Sequence, residues 1–321
     1  MASSKDKNNG MSQVTYEFPY MRQPEKKSLG KFIYDKEKGT FMSRTPSSWA
    51  KILIFYAIFY TVLAALFAIC LQVLFYTLTY EYPKWQLDRS LIGTNPGVGF
   101  RPISDDTTQG SLIWYKASDT ESIRPWTKLL DDYLAPYRNK SLLPGGGKNQ
   151  VICDYDSPAR PGHVCAVEVS TWGECTSENG YSFNKSSPCI FVKLNRIFNW
   201  VPEYYDDVND LPEDMPEDLK EHINNVPAKE RKQVWISCQG EHPSDREAIG
   251  PVKYIPQRGM AAYYYPFTNI PGYLSPLIAV QLERPKLNRV INIECRAWAK
   301  NIQYQGGRER TGSVHLELMI D

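Results

Sequence analysis

From Ile52 to Thr79 the chain runs 28 residues without a charged side chain, interrupted only by Gln72 and a few threonines among polar residues. About 20 apolar residues cross the hydrocarbon core of a bilayer, and a longer stretch crosses with tilt. A cleaved signal sequence has a shorter apolar core, about 7–15 residues, close to the start of the chain. Here no small-residue cleavage pattern follows, so the stretch is predicted to stay in the membrane as an anchor. A buried core helix is the competing reading, but such helices rarely run this long without a charge.

The flanks set an orientation. Up to Lys51 there are ten basic and five acidic residues; beyond the span there are 27 and 31. Lys36, Lys38, Arg44 and Lys51 precede the span, whereas Glu81, Lys84, Asp88 and Arg89 follow it. The positive-inside bias places the N-terminal side in the cytoplasm. Trp49 on the inner edge and Tyr76, Tyr80, Tyr82 and Trp85 on the outer edge fit an interfacial aromatic belt, making membrane lipid one partner. A net charge of +1 argues against nucleic acid as another. The chain therefore divides into a cytoplasmic tail (1–50), a transmembrane helix (51–79) and an outer domain (80–321). Residues 1–30 are polar and expected to be mostly disordered. Residues 31–50 carry Phe32, Tyr34, Phe41 and Trp49, which could pack against a partner at the inner surface.

Cysteine usage agrees with this topology. Cys70 lies in the span, and Cys153, Cys165, Cys175, Cys189, Cys238 and Cys295 all follow it. An even set confined to one side points to an oxidising compartment. The acceptors Asn139-Lys140-Ser141 and Asn184-Lys185-Ser186 lie on the same side, making Asn139 and Asn184 candidate N-glycosylation sites. Six cysteines allow fifteen pairings. The sequential set is favoured: Cys153–Cys165 and Cys175–Cys189 close short loops, and Cys238–Cys295 matches strand registers.

Beyond Val151 the pattern is alternating, as in half-buried strands. Cys165, Val167 and Val169 share one face, as do Ile190, Val192 and Leu194. So do Val234, Ile236 and Cys238; Ile291, Ile293, Cys295 and Ala297; and Val314, Leu316, Leu318 and Ile320. A Cys238–Cys295 bridge would then pin two strands across a core. Upstream, Trp126 to Tyr133 is helix-like, and Pro144 to Gly147 reads as a loop. Short antiparallel strands with turn-rich links predict a β-sandwich.

Catalytic signatures are weak. His163, His222, His242 and His315 lack metal-ligand spacing. Gly147-Lys148 fails as a phosphate loop, with Leu142 and Asn149 in the wrong places. The eight carboxylates from Glu203 to Asp218 lack the glycine and terminal glutamate of a calcium loop and read as a solvated loop. Asp154-Tyr155-Asp156 is similar to the metal-holding triplet of Golgi glycosyltransferases, which share this topology, but no alternating strand–helix pattern surrounds it. No cofactor is expected.

Aromatic residues give the stronger signal. Phe55 and Phe59 are four apart, as are Tyr56 and Tyr60, and residues at this spacing share a helix face. Leu63 and Phe67 extend it. Lipid alone does not call for the two hydroxyls. In the outer domain Tyr263-Tyr264-Tyr265-Pro266-Phe267 either fills a core or anchors an interface.

Taken in order, these segments resemble the β subunit of the sodium/potassium-transporting P-type ATPase and its proton/potassium relative. The matching stretches are Phe32-Ile33-Tyr34-Asp35, then Phe41-Met42-Ser43-Arg44-Thr45 with Ser43 where the family usually has glycine, and Phe55 through Tyr60. Farther on come Pro188 through Arg196, Tyr264 through Phe267, Tyr273 through Gln281, and Ile293 through Ala297. The resemblance implies one transmembrane α-helix and a mainly-β extracellular domain, an immunoglobulin-like antiparallel sandwich with three sequential disulfides. With no Trp between Cys238 and Cys295, a true immunoglobulin core is not expected. It also implies a non-catalytic plasma-membrane subunit that assembles with the catalytic α subunit, supports its folding and delivery, and tunes potassium affinity. Tyr56 and Tyr60, with Phe55 and Phe59, would then face an α-subunit helix, and Tyr264, Tyr265 and Phe267 an α-subunit outer loop. A type II adhesion glycoprotein is the alternative; a lumenal glycosyltransferase is a more distant one.

Overall fold

The computed structural model describes residues 29–307 and 309–321. The expected disorder over 1–30 thus lies almost entirely outside the described residues. The chain forms two compact units, which meet in sequence between Thr77 and Leu78.

In the first unit a short helix α1 (Leu29–Ile33) leads into a hairpin of β1 (Tyr34–Asp35) and β2 (Thr40–Phe41). The Asp35 carboxylate accepts from the Glu37 and Lys38 amides to hold the turn. The Trp49 indole N–H donates to the Phe41 carbonyl at 2.8 Å, and the two rings lie 6.1 Å apart. Two of the juxtamembrane aromatics therefore pack on each other, while Phe32 and Tyr34 are exposed. Ser43 sits at φ 65°, a left-handed backbone that glycine adopts without steric cost, so a glycine suits this turn. Helix α2 (Pro46–Tyr76) follows, capped by the Thr45 hydroxyl, which accepts from the Ser48 amide, and opened by Pro46 at its first turn. These capping residues start the helix ahead of the uncharged stretch. It ends at Tyr76, where the Thr77 hydroxyl donates to the Leu74 carbonyl. At about 1.5 Å per residue its 31 residues span about 46 Å, and none is buried within the unit.

The second unit is a two-sheet sandwich. Its elements are β3 (Val98–Arg101), β4 (Leu112–Tyr115), α3 (Thr120–Arg138), β5 (Gln150–Val151), β6 (Val164–Cys165), β7 (Cys189–Leu194), α4 (Glu217–Asn225) and β8 (Gln233–Gly240). After these come α5 (Pro243–Arg246), β9 (Val252–Ile255), β10 (Gly259–Ala261), β11 (Ile278–Leu282), β12 (Ile291–Trp298) and β13 (Ser313–Ile320). One sheet has the order β10-β8-β12-β13-β4, the other β3-β7-β11-β9. Neighbours in both are antiparallel except β13 and β4, which run parallel. Val234, Ile236, Ile293, Leu316 and Leu318 of the first sheet share one core with Phe100, Ile190, Val192, Ile278 and Val280 of the second.

The disulfides join Cys153 to Cys165, Cys175 to Cys189 and Cys238 to Cys295. The last differs from expectation in its placement. Cys238 and Cys295 face each other directly on neighbouring strands β8 and β12, with Cα atoms 4.0 Å apart. The bridge staples one sheet and does not cross the core. Alternation alone places two cysteines on inward faces without saying whether their strands are opposed or adjacent.

Three further readings change. The ladder of β6 stops at Cys165, yet Val167 and Val169 are buried and Glu168 and Ser170 exposed, so the alternation in burial outlasts the strand. Phe191 alternates with Ile190 and Val192 and yet is buried as they are, because Trp172 stacks on it at 5.9 Å and Tyr181 meets it edge-on at 5.8 Å. The acidic stretch is not merely a solvated loop. Met215, with Leu219 and Ile223 of α4, packs on Trp235 and Trp298 to form a second core on the outer face of the five-stranded sheet. Its carboxylates pair outward: Asp214 with Arg296, Asp218 with Arg258 and Asp210 with Lys300.

Helix α3 extends well beyond the segment expected for it. Asp119 caps it by accepting from the Glu121 amide, and Ile123, Trp126, Leu130, Leu134 and Tyr137 form its buried stripe. On its other side Asp131 accepts from Ser177 Oγ at 2.6 Å, Tyr181 Oη at 2.7 Å and Arg138 Nη2 at 3.0 Å. Burial raises the Asp131 pKa, but the Ser177 and Tyr181 hydroxyls and the Arg138 guanidinium together outweigh it, leaving the carboxyl below its ordinary value. A depressed carboxyl contributes stability above its unfolded pKa of about 3.9, and loses it as pH falls through the folded value. Asp131→Asn should flatten the acid limb of the stability profile below about pH 4. Thermal midpoints across that range test this; parallel profiles for the two proteins would contradict it.

Candidate functional site

Two aromatic surfaces stand out, one in each unit. On α2, Phe55 and Phe59 stack with centroids 6.2 Å apart, and Tyr56 and Tyr60 with centroids 5.9 Å apart. Edge contacts of 5.4 Å join Phe55 to Tyr56 and Phe59 to Tyr60, so the four rings make one patch. All four are exposed. The Thr61 hydroxyl is satisfied within the helix by the Ala57 carbonyl at 2.7 Å. The Tyr56 and Tyr60 hydroxyls find no such acceptor among the described residues. A hydroxyl without a partner is costly in hydrocarbon. The patch can therefore supply both a packing face and hydrogen-bond donors to another helix.

In the second unit the Tyr263–Phe267 segment is half-buried apart from exposed Pro266. Tyr263 lies 4.6 Å from Tyr264 and 5.3 Å from Tyr155. The Tyr264 hydroxyl donates to the Ala166 carbonyl, and the Tyr265 hydroxyl to Met260 Sδ. Tyr265 meets Trp200 edge-on at 5.7 Å, and Phe267 packs on Tyr273 at 4.9 Å and on Phe198 at 6.2 Å. The Arg196 guanidinium lies over both Phe267 and Tyr273, and Ser275 Oγ accepts from its Nε at 3.0 Å. The segment is thus both core and surface, anchored on one side and facing a cavity of about 560 Å³ on the other. Asp154, Tyr155, Arg160, Lys232, Tyr263 and Tyr264 are among its walls. Burial pushes the Tyr264 hydroxyl well up, and that of Tyr273, also in the wall, up to about 12. The ring hydroxyls are therefore neutral donors at physiological pH. Tyr273 opens a stretch already matched above, but nothing in the sequence links Phe198 and Trp200 to a tyrosine run more than sixty residues away.

The Asp154–Asp156 triplet is engaged locally. Asp154 Oδ1 accepts from the Asp156 and Ser157 amides at 2.7 Å, closing its own turn, and Asp156 pairs with Lys229. No group of three or more potential metal-ligating side chains converges among the described residues. Both sequon asparagines are exposed. Asn139 caps the end of α3, with its Oδ1 accepting from the Ser141 amide and hydroxyl; Asn184 lies on the turn-rich stretch Ser177–Lys185.

Residues 21–316 match the profile of a family described as sodium / potassium ATPase beta chain. The chain is 52% identical over 303 residues to sodium/potassium-transporting ATPase subunit beta-2 of Drosophila melanogaster, covering 93% of this chain and 94% of that one. It is 45% identical over 319 residues to subunit beta-1 of the same organism, covering 98% and 99%. With a probable subunit beta-3 of Caenorhabditis briggsae it shares 33% over 301 residues, covering 92% and 88%.

Proposed function

Because this chain belongs to the sodium/potassium ATPase beta-chain family, we propose that it is the non-catalytic β subunit of a sodium/potassium-transporting ATPase. It assembles with the catalytic α subunit, supports its folding and delivery to the plasma membrane, and tunes its potassium affinity. The N-terminal side is cytoplasmic, and Asn139 and Asn184 carry glycans outside.

The observation that carries this reading is the four-ring patch on α2. A helix with no buried residue presents two stacked tyrosines whose hydroxyls lack partners in their own unit. In a bilayer, helices associate through close packing and inter-helix hydrogen bonds. A many-spanning catalytic subunit must satisfy irregular backbone within the membrane, and a partner helix with donors at fixed spacing assists it. Tyr264, Tyr265 and Phe267, anchored from behind, supply a second contact, to an outer loop. A partner that binds one transport conformer better than another shifts ion affinity by that difference.

Extraction in mild detergent tests the proposal. The wild-type chain should bring down a P-type ATPase α subunit in equal amount. Tyr56→Ala with Tyr60→Ala should reduce that recovery, or shift potassium activation, about fivefold, corresponding to about 1 kcal/mol of inter-helix contact. Recovery of the chain alone would remove the subunit reading in favour of adhesion. Unchanged recovery and activation in the double variant would remove the role given to the tyrosines.

A further inference from the structure

The juxtamembrane hairpin has more apolar surface than its own unit covers. Strands β1 and β2 are two residues each, and a two-stranded hairpin is marginal in water without a surface to pack on. Tyr34 and Phe41 are directly paired in register, so their side chains lie on one face. Trp49 packs on Phe41, but Phe32, Ile33, Tyr34, Phe41 and Met42 all stay exposed within the unit. The same stretch is basic. From Lys31 to Lys51 the chain holds five basic and two acidic residues. Lys36, Lys38, Arg44 and Lys51 are exposed, and among the described residues none of the four pairs with a carboxylate. The Asp35 carboxylate is occupied by the Glu37 and Lys38 amides.

The helix to which the hairpin is tied sets its depth. A bilayer is about 30 Å thick in its hydrocarbon core and about 40–45 Å with its headgroup layers, so each layer is about 5–8 Å deep. Helix α2, about 46 Å long, matches the whole thickness. Centred in the bilayer, it places Trp49, about 4.5 Å along the axis from Pro46, within the headgroup layer. The Trp49 indole N–H holds the Phe41 carbonyl at 2.8 Å. Phe41 and Arg44 exchange both backbone hydrogen bonds, at 2.9 and 3.1 Å, and the Met42 amide donates to the Ile33 carbonyl at 2.9 Å. These bonds keep the hairpin beside the first turn of the helix, so its exposed rings and basic side chains sit at headgroup depth.

We propose that this hairpin binds anionic phospholipid of the inner leaflet. Tyr34, Phe41 and Trp49 settle at the boundary of headgroups and acyl chains, where amphipathic aromatic rings are most stable. Lys36, Lys38 and Arg44 then meet lipid phosphates and carboxylates, and Arg44 offers a planar fork suited to two oxygens at once. Each basic residue close to such a surface strengthens the attachment about fivefold. Two observations favour a lipid surface over a protein groove. The hairpin continues directly into the apolar helix, and its charge is opposite to that of the leaflet beside it. The inference rests on the topology proposed above, with the N-terminal side in the cytoplasm, and not on the partnership with the α subunit.

The test uses the full-length chain assembled into lipid nanodiscs of phosphatidylcholine, alone or with about one third phosphatidylserine. A nitroxide is attached at Glu37→Cys, an exposed position in the hairpin turn, with Cys70→Ala so that no other free thiol competes. Its accessibility to a water-soluble nickel chelate is read by electron paramagnetic resonance. Phosphatidylserine should lower that accessibility about fivefold, and salt near 1 M, which shortens the screening length to about 3 Å, should restore it. Lys36→Gln with Lys38→Gln and Arg44→Gln should leave the label equally accessible in both discs. Equal accessibility in both discs for the chain without these three changes would overturn the proposal. So would protection that appears only when the α subunit is co-assembled and is the same in either lipid, which would assign the face to that subunit. Nanodiscs expose both membrane faces, so this result does not depend on orientation, which is tested separately in cells. A thiol reagent that cannot cross membranes should reach position 37 only after permeabilisation. Labelling in intact cells would remove the topology, and the inner-leaflet assignment with it, even where the discs respond.

Discussion

Replacing Cys238 and Cys295 together with alanine is expected to cost the outer unit about 4 kcal/mol, the largest loss from any one of the three bridges. In the chain-entropy account the contribution grows with the loop closed. The separations are 12, 14 and 57 residues, which give about 3 kcal/mol for each short loop and about 4 for the long one. A domain's whole stability is typically about 5–15 kcal/mol, so this one bridge is a large share of it. The location of the bridge shapes how the loss appears. Since it joins directly opposed residues of β8 and β12, the strands retain their ladder and their register without it. The double variant should therefore fold to the same sandwich and melt at a lower temperature. Thermal melts of both proteins, with the wild type also run under verified reduction, make the comparison. An unchanged midpoint in the reduced protein would show that the ladder alone holds the sheet.

Trp235→Ala is expected to cost about 3–5 kcal/mol, with a local signature that the disulfide variant lacks. Trp235 is completely buried, its indole N–H points to the Tyr205 carbonyl, and its ring meets His222 edge-on at 5.9 Å. It is the floor on which Met215, Leu219 and Ile223 rest. Removing it leaves a cavity beneath α4, and the ion pairs of Asp210, Asp214 and Asp218 are too exposed to hold the segment alone. Limited proteolysis should then cut between Glu203 and Asn225 well before the sandwich unfolds. A variant with a lowered midpoint but no early cleavage would mean that the segment is held by something other than this core.

The sandwich was legible in the sequence because its inner residues alternate. Ile293, Cys295 and Ala297 announce a strand with one wet face, and the structure gives β12 that pattern. Both faces of β7 and β8 are covered, and there alternation misleads: Phe191 and Trp235, each between two inward residues of its strand, are among the most buried residues. The second core was hidden by composition. Eight carboxylates crowd the stretch that holds Met215 and leads to Leu219 and Ile223, although the spacing of four among these three is a helical stripe. On α2 the spacing of Phe55, Tyr56, Phe59 and Tyr60 was enough to place the rings together. The surroundings of Tyr264 and Phe267 depend on long-range packing by Phe198, Trp200 and Arg196, which no local pattern encodes.

The parallel pairing of β4 with β13 imposes a timetable on synthesis. Leu112 lies opposite Glu317, roughly 200 residues downstream. At about 5–20 residues per second, the ribosome delivers that partner some 10–40 s after β4 has left it. Until then Ile113 and Tyr115, both destined for the core, have no sheet to join. The bridges at Cys153–Cys165 and Cys175–Cys189 lie within what has already emerged and can close during the wait, whereas the five-stranded sheet can be completed only after translation of β13. The nascent outer unit thus presents unpaired apolar strand to the folding machinery of its compartment for most of its synthesis, and truncations that remove β13 should be retained there however many of the upstream disulfides have formed.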